Sequence, residues 1–180
     1  MLSKENNFAF IDAANLHKAS MDLGWSLDYK RLRIWLRERH AITTAYLFIG
    51  LVPKYKGLYT RLQEFGFTLV FKETTCDEHG KVKGNCDADL VLATARGVYE
   101  NHFDRAMLVS SDGDYASLVV FLQEKNKLKL VLSPGNKCSI LLRRTNAPVT
   151  YLRDLKTLVE RSKKEKAPDA DRTAQGPSSW

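Results

Sequence analysis

Five short apolar runs of strand length are spaced along the chain. They cover residues 8–11, 45–49, 67–71, 106–110 and 128–132. The runs do not alternate strictly between apolar and polar positions, and such uninterrupted runs are typical of strands buried on both faces of a parallel sheet. The pattern therefore predicts five central, parallel strands.

Segments with a helical period separate these runs. They span residues 28–39, 55–65, 90–99 and 115–125. In the second segment, Gly66 stands where a C-cap glycine would end the helix. A short helix containing Arg143 and Arg144 and a final amphipathic stretch over residues 152–159 follow the last strand. Alternating strands and helices predict an α/β fold, a three-layer, doubly wound and mostly parallel sheet that is flanked by helices (Rossmann-like).

The composition changes towards the C-terminus. Residues 161–180 are first basic and then contain Ala, Pro, Ser and Gly with almost no large apolar residue, so they offer little to bury. The 180 residues therefore predict one domain over 1–160 and a disordered tail over 161–180.

Composition also excludes several classes of protein. With 44% hydrophobic and 27% charged residues, the chain is neither fibrous nor disordered as a whole. It lacks an apolar run long enough for a membrane span and has no apolar leader, so we expect a cytoplasmic protein. The three cysteines show no C-x-x-C spacing, and the four histidines show no zinc-binding spacing, so zinc is not expected.

The chain is basic. There are 28 Lys and Arg residues against 21 Asp and Glu residues, which gives a net charge of +7. This surplus favours a polyanionic partner. Four lysines in predicted loops near the sheet edge are candidates for contact with a phosphate backbone: Lys54, Lys56, Lys81 and Lys83.

Acidic residues stand just past the predicted strand ends, where an open α/β sheet forms its ligand crevice. Asp12 ends the first strand, with Asn15 three residues later. Asp112 and Asp114 follow the fourth strand, separated by a glycine. Both can reach one metal ion from such a turn.

A second acidic pair opens the helix that leads into the fourth strand. Asp87 and Asp89 are two residues apart, which is about 200° around a helix. We therefore expect Asp87 to face the crevice and Asp89 to support the metal site from behind. Three separate segments thus bring acids to one edge of the sheet.

Crowded carboxylates repel one another unless a cation neutralises them. Oxygen ligands suit Mg²⁺ or Mn²⁺, ions that bind phosphates and activate water. The pattern predicts a metal centre formed by Asp12, Asp87 and Asp112, with Asp114 completing the shell. Asp87 and Asp112 also suit the simpler role of helix N-cap, whereas Asp12, at a strand end, is not expected to cap a helix.

The acids lie in three short motifs. They are Phe10-Ile11-Asp12-Ala13-Ala14-Asn15-Leu16, Lys83-Gly84-Asn85-Cys86-Asp87-Ala88-Asp89-Leu90 and Val109-Ser110-Ser111-Asp112-Gly113-Asp114-Tyr115. Together these motifs resemble the NYN family, specifically its LabA-like branch within the PIN-like nucleases. The resemblance covers residues 7–155, and the motifs occur in the family's order.

The resemblance implies a PIN-like sheet and an Mg²⁺- or Mn²⁺-dependent ribonuclease that hydrolyses RNA. It makes Asp12 the strand-end acid, Asn15 its polar companion, Asp87 the helix-start acid, and Asp112 with Asp114 the last pair. Asn15 is then expected to orient the water or a phosphate oxygen.

This sequence departs from the family pattern at three positions. Ala13 and Ala14 stand where many members have glycine and a small or acidic residue, and Ser111 replaces a common glycine. All the acids are retained, so these departures bear on geometry and rate more than on metal binding.

Other classes of function fit less well. A haloacid-dehalogenase-type phosphatase needs a second aspartate where Ala14 stands, and a phosphoreceiver domain needs an acidic pair where the chain has Asn6 and Asn7. The open alternative is a regulatory module of the same family that binds RNA or a protein and cleaves weakly or not at all, because a full set of acids permits metal binding without requiring turnover. A homo-oligomer is compatible with either function.

Overall fold

A computed structural model of the chain describes residues 5–73, 75–76, 82–83 and 86–162. The tail that we predict over 161–180 lies, from residue 163 onward, outside the described residues, so the domain boundary stays a prediction. No helix within the described ranges combines the length and the apolar character needed to cross a membrane.

The described strands form a six-stranded parallel sheet and a separate antiparallel pair. They are β1 (Asn7–Asp12), β2 (Ile42–Leu51), β3 (Thr68–Glu73), β4 (Thr75–Cys76), β5 (Val82–Lys83), β6 (Ala106–Val109), β7 (Leu128–Ser133) and β8 (Val149–Tyr151). The order in the sheet is β3-β2-β1-β6-β7-β8, and β4 pairs only with β5. The strand order reverses between β1 and β6, which are direct neighbours.

Helices connect the strands. They are α1 (Ala13–Met21), α2 (Tyr29–His40), α3 (Lys56–Glu64), α4 (Asp87–Tyr99), α5 (Ala116–Glu124), α6 (Ile140–Arg144) and α7 (Lys156–Val159). Single 3-10 turns over Pro53–Tyr55, Gly113–Tyr115 and Leu152–Leu155 lead into α3, α5 and α7.

Two apolar cores lie on opposite faces of the sheet. On one face, Leu16, Leu36 and Leu62 from α1, α2 and α3 pack on inward residues of the strands. On the other, Leu90 and Leu122 from α4 and α5 pack on strand residues of the opposite set. Strand side chains alternate between the two cores, which explains why the strands have continuous apolar sequences.

The predicted α/β architecture with a doubly wound parallel sheet is confirmed. All five predicted strands are present, and β2 extends further at both ends than the apolar run indicates. The helices and strands missed among the described residues are α1, the short strands β4 and β5, and β8. Only Ala13 and Leu16 are buried in α1, so a single large apolar residue marks its inner face. The three residues of β8 are too few to show a period.

Candidate metal centre

The sequence-predicted acids meet where the strand order reverses. Asp12 is the last residue of β1, and Ser110 directly follows β6, the neighbouring strand. In open α/β sheets this switch point forms a crevice outside the carboxyl ends of the strands. The crevice therefore collects side chains from β1, from α4 and from the loop after β6.

Three carboxylates lie close together in this crevice. One oxygen each from Asp87, Asp112 and Asp114 lies within 4.8 Å of the other two. Asp87 and Asp112 are half-buried and Asp114 is exposed. We call these residues the acidic triad. Its donor set consists of hard anionic oxygens and is partly open to solvent, which fits Mg²⁺ or Mn²⁺ rather than zinc.

The loop after β6 is held by its own hydrogen bonds. The Asp112 N–H donates to Ser110 Oγ at 3.1 Å, and the Asp114 N–H donates to Asp112 Oδ1 at 3.1 Å. Asp112 thereby caps the 3-10 turn, the simpler role that the sequence also allowed. A Cβ at Gly113 would lie 2.5 Å from Ser139 Oγ, so a glycine is needed for this close approach.

Asn15 ties the start of α1 to this loop. Its Oδ1 accepts a hydrogen bond from the Ser111 N–H at 2.9 Å. Ser111, the residue that departs from the family pattern, in turn accepts the Gly135 N–H on its Oγ at 3.0 Å. Asn15 thus supports the loop that carries Asp112 and Asp114.

Asp12 lies deeper than the triad and has a structural role that the sequence analysis excluded. It is the N-cap of α1, since its Oδ1 accepts the Asn15 N–H at 2.9 Å. The expectation that Asp12 caps no helix was therefore wrong: α1 begins directly after β1, with no intervening loop. Within the described part of the chain, the three-oxygen cluster does not include Asp12.

Asp12 is buried beside other acids. Its side chain is 8% exposed, and this burial raises the pKa of the carboxyl. The Asn15 N–H opposes the shift, and the negative charges of Asp87 and Asp112 add to it. A cation in the triad would relieve this repulsion, since an opposite charge nearby favours the ionised carboxylate.

Tyr115 connects Asp12 with the triad, and sequence reasoning missed it. Its ring is 1% exposed, and its hydroxyl donates to Asp87 Oδ1 while lying 3.4 Å from Asp12 Oδ2. Burial and both carboxylates raise the pKa of the phenol strongly, so it keeps its proton. The available signal was its place one residue after Asp114, inside the third motif.

Asp89 points away from the triad. Its Oδ2 forms an ion pair with Lys72 Nζ on β3 at 2.9 Å, and this contact raises the pKa of Lys72. Cys86, which precedes α4, lies near these acids: burial, together with the charges of Asp12, Asp89 and Asp87, raises the pKa of its thiol to about 11.

The candidate phosphate-binding lysines lie partly at the same edge. Lys54 belongs to the 3-10 turn that follows the carboxyl end of β2, and Lys56 begins α3; both are exposed. Lys54 Nζ lies 4.9 Å from the centre of the Tyr55 ring. Lys83 belongs to β5 by its backbone, and Lys81 lies outside the described residues.

Comparison with known proteins identifies the fold family. The family model described as NYN domain matches residues 8–152, a range that includes every acid of the crevice. A crystal structure of a protein of unknown function from Vibrio parahaemolyticus is similar, with a TM-score of 0.68 and 22% sequence identity. The match covers 84% of this chain and 95% of that chain, and at this identity it supports the fold alone. No curated protein matches the sequence.

Proposed function

Because this chain belongs to the NYN domain family, we propose that it is a metal-dependent ribonuclease that hydrolyses phosphodiester bonds in RNA. The observation that carries the proposal is the acidic triad, whose three carboxylate oxygens converge within 4.8 Å at the switch point of the sheet. We further assign the chain to the LabA-like branch of the family, on the strength of its three sequence motifs.

The ion that we propose is Mg²⁺ or Mn²⁺, held by Asp87, Asp112 and Asp114. When bound, such an ion neutralises phosphate charge and lowers the pKa of a coordinated water. Asp12, one layer deeper, supports the site through its charge and through the hydroxyl of Tyr115. Asp89 keeps the α4 start in place through Lys72 rather than through the ion.

The remaining residues of the crevice orient the acids and the substrate. Tyr115 holds Oδ1 of Asp87, which restricts the orientation of this carboxylate in the crevice. Asn15 fixes the loop of Asp112 and Asp114, so its amide acts on the substrate mainly through that loop. We assign contact with RNA phosphates on the side of β2 to Lys54 and Lys56, which are exposed just past the carboxyl end of that strand.

The net reaction adds water across a phosphodiester bond. The water oxygen forms a bond to phosphorus in line with the leaving group, the bond from phosphorus to the 3′ oxygen breaks, and a proton ends on that oxygen. The products therefore carry a 5′ phosphate and a 3′ hydroxyl.

Cleavage of end-labelled single-stranded and hairpin RNA, with Mn²⁺, Mg²⁺ or EDTA, tests this function. We expect metal-dependent cutting that falls by about a hundredfold or more in Asp112→Asn, in line with the loss of a metal ligand. Asn still caps the 3-10 turn, so the loop should keep its shape. Asp22→Asn, at an exposed acid outside the crevice, is the matched control and should cut like the wild type.

Two further measurements separate cleavage from binding. Titration with Mn²⁺ by calorimetry should show a site that Asp112→Asn and Asp114→Asn each weaken. Asp12→Asn should abolish cleavage while leaving RNA affinity unchanged or higher. If the wild type shifts RNA on a native gel but never cuts it, the nuclease proposal fails and an RNA-binding module replaces it.

A further inference from the structure

The outer face of α4 carries a line of apolar side chains at the surface. Ala88, Leu92 and Tyr99 are exposed and Ala95 is half-buried, and we call these four residues the α4 stripe. The Tyr99 ring also leans on Phe121 of α5, with the ring centroids 6.0 Å apart. Leu92 is 68% exposed and Tyr99 is 73% exposed, whereas Leu90 and Thr94, on the inner face of the same helix, are buried. A surface helix usually has charged or polar residues on its outer side, so an apolar stripe there indicates an interaction surface.

The spacing of the stripe is that of a helix-pairing seam. Its members follow one another at intervals of four, three and four residues, the spacing of the a and d positions in packed helix pairs. Such a stripe meets a partner helix along its whole length, because the pairing positions stay on one side of each helix. The surface therefore fits another helix better than it fits an extended peptide or a flat sheet.

The stripe is complementary in size to a second copy of itself that runs in the opposite direction. In an antiparallel two-fold pair, Ala88 faces Tyr99 of the second copy, and Leu92 faces Ala95 of the second copy. Each large side chain then meets a small one, the arrangement that fills space between packed helices. A parallel pair would instead set Tyr99 against Tyr99 and Ala88 against Ala88.

The charges beside the stripe are also self-complementary. Asp89 and Arg96 are seven residues apart and therefore lie on the same flank of the stripe. The antiparallel pair brings Asp89 of one copy to Arg96 of the other, twice by symmetry. Asp89 Oδ2 bonds Lys72 Nζ at 2.9 Å within its own chain, so the other carboxylate oxygen is the acceptor for Arg96 of the second copy. Arg96 bonds Glu100 through Nε at 2.7 Å, and its guanidinium has further N–H donors for a second carboxylate.

We propose that the protein forms a homodimer in which α4 pairs antiparallel with α4 of a second copy. This proposal is independent of the nuclease activity. Since α4 begins at Asp87, the two acidic triads lie at opposite ends of the helix pair, about 20 Å apart along its axis for a helix of this length. Both crevices then belong to one assembly.

The dimer is expected to be reversible. A single pair of helices with 13 residues each is small beside the ~1,600 Å² of a standard protein interface. Its dissociation is therefore measured by sedimentation velocity on the full chain across a concentration series, from about 1 to about 500 μM, a range that spans weak to moderate affinities. The wild type should shift from monomer to dimer within this range.

Leu92→Glu tests the surface. The new charge would be buried against Ala95 of the second copy, so we expect the dissociation constant to rise by at least about tenfold. Leu158→Glu is the matched control, since Leu158 is 55% exposed on α7, away from α4. It should leave the dissociation constant unchanged.

A mixing experiment tests the antiparallel register. Leu92→Glu and Ala95→Lys should each weaken self-association. In a mixed dimer with the antiparallel register, the new glutamate at position 92 of one copy faces the new lysine at position 95 of the other. On the other side of the two-fold axis, the native Ala95 of the first copy faces the native Leu92 of the second. The mixture should therefore dimerise more tightly than either variant alone, which also shows that both are folded.

Three results would overturn the proposal. They are a wild type that stays monomeric across the series, a Leu158→Glu variant that weakens association as much as Leu92→Glu does, and a mixture that associates no better than its components. Failure of RNA cleavage would leave the dimer proposal untouched, because sedimentation does not depend on activity.

Discussion

The hydroxyl of Tyr115 is a hydrogen-bond donor that lies between two acids, the buried Asp12 and the half-buried Asp87. Asp87 accepts its hydrogen bond, and the nearest oxygen of Asp12 lies 3.4 Å away. In the absence of a cation, this donor offsets part of the repulsion between the two carboxylates. When a cation is bound, the ion provides much of the same stabilisation.

Tyr115→Phe should therefore destabilise the protein more without metal than with it. We expect the free energy of unfolding to fall by about 1–3 kcal/mol in EDTA, the cost of leaving buried partners unsatisfied, and by less in saturating Mn²⁺. Urea unfolding in the two conditions measures the difference. Equal losses in both conditions would contradict the role assigned to the hydroxyl.

Tyr59→Phe is the control for that experiment. The Tyr59 hydroxyl is also buried; it accepts the Val52 N–H at 2.9 Å and donates to the Gly50 carbonyl at 2.9 Å, with no acid involved. Its removal should cost the same stability with and without Mn²⁺.

Helices α4, α5 and α6 are each followed by an asparagine with a positive φ, whereas α2 is followed by an alanine with a positive φ. Asn101, Asn126 and Asn146, which follow α4, α5 and α6, have φ near +55° (54°, 54° and 56°), a left-handed conformation that asparagine tolerates. The corresponding residue of α2 is Ala41, with φ of 52°. Alanine adopts this conformation only with strain.

Ala41→Gly should stabilise the protein. Glycine adopts a positive φ without a Cβ clash, so we expect the free energy of unfolding to rise by about 1 kcal/mol. Chemical denaturation of both proteins provides the measurement. Asn126→Ala, which introduces the same strain after α5, should have the opposite effect, and a gain from that substitution would argue against the explanation.

The end of α2 also contains a histidine whose charge is disfavoured. Burial lowers the pKa of His40 below 6.5, and the positive charges of Lys129 and Arg39 lower it further. The nearby Glu5 is engaged by Lys129 at 2.8 Å. The pKa of His40 is therefore lower in the folded chain than in the unfolded chain, so the folded chain binds this proton more weakly.

Stability should consequently fall as the pH drops below about 6.5, because the unfolded state then binds more protons than the folded state. Above that pH the contribution of His40 is fully present. His40→Gln should reduce the slope of the unfolding free energy against pH in this window, measured by urea denaturation in a pH series. An unchanged slope would mean that other groups control it.

Across the whole molecule, the basic residues and the acidic crevice are expected to contribute differently to the binding of a polyanion. The net charge is +7, although the acidic triad is the most concentrated negative charge near the switch point. RNA affinity should therefore come from lysines around the crevice and depend on salt. The acids themselves should contribute to affinity only when a cation is bound.

Lys54→Ala combined with Lys56→Ala tests the contribution of the β2 side. Each lost phosphate contact should reduce the slope of log affinity against log salt by about 0.7 for single-stranded RNA. Fluorescence anisotropy across a salt series measures this slope. Lys125→Ala, at the opposite end of the strands, is the control and should leave the salt slope unchanged. Equal slopes for the wild type and all variants would show that Lys54 and Lys56 do not contact the RNA.

The positions of the acids in the site were predictable from the sequence in part. Asp112 was chosen because it follows a predicted strand, and Asp87 because it opens a predicted helix; they do come together with Asp114. Asp89 was placed behind the site by helix geometry alone, and it pairs with Lys72. The metal-binding roles of all of them, and of Asp12, stay predictions. The cytoplasmic location and the disordered tail also stay predictions.

The chain alone was sufficient for the α/β class, the central strands and the segments that carry the acids, because burial imposes a periodic pattern on every element long enough to repeat it. Short elements such as β8, and the weakly apolar α1, lack that repetition. The cap at Asp12, the hydroxyl of Tyr115 between two carboxylates and the Asn15 contact to Ser111 were decided only by the tertiary structure. The cap at Asp12 depends on α1 starting directly after β1. The contacts of Tyr115 with Asp12 and of Asn15 with Ser111 depend on how β1 and β6 lie side by side. They join residues 103 and 96 positions apart, so local sequence has no period or spacing that encodes them.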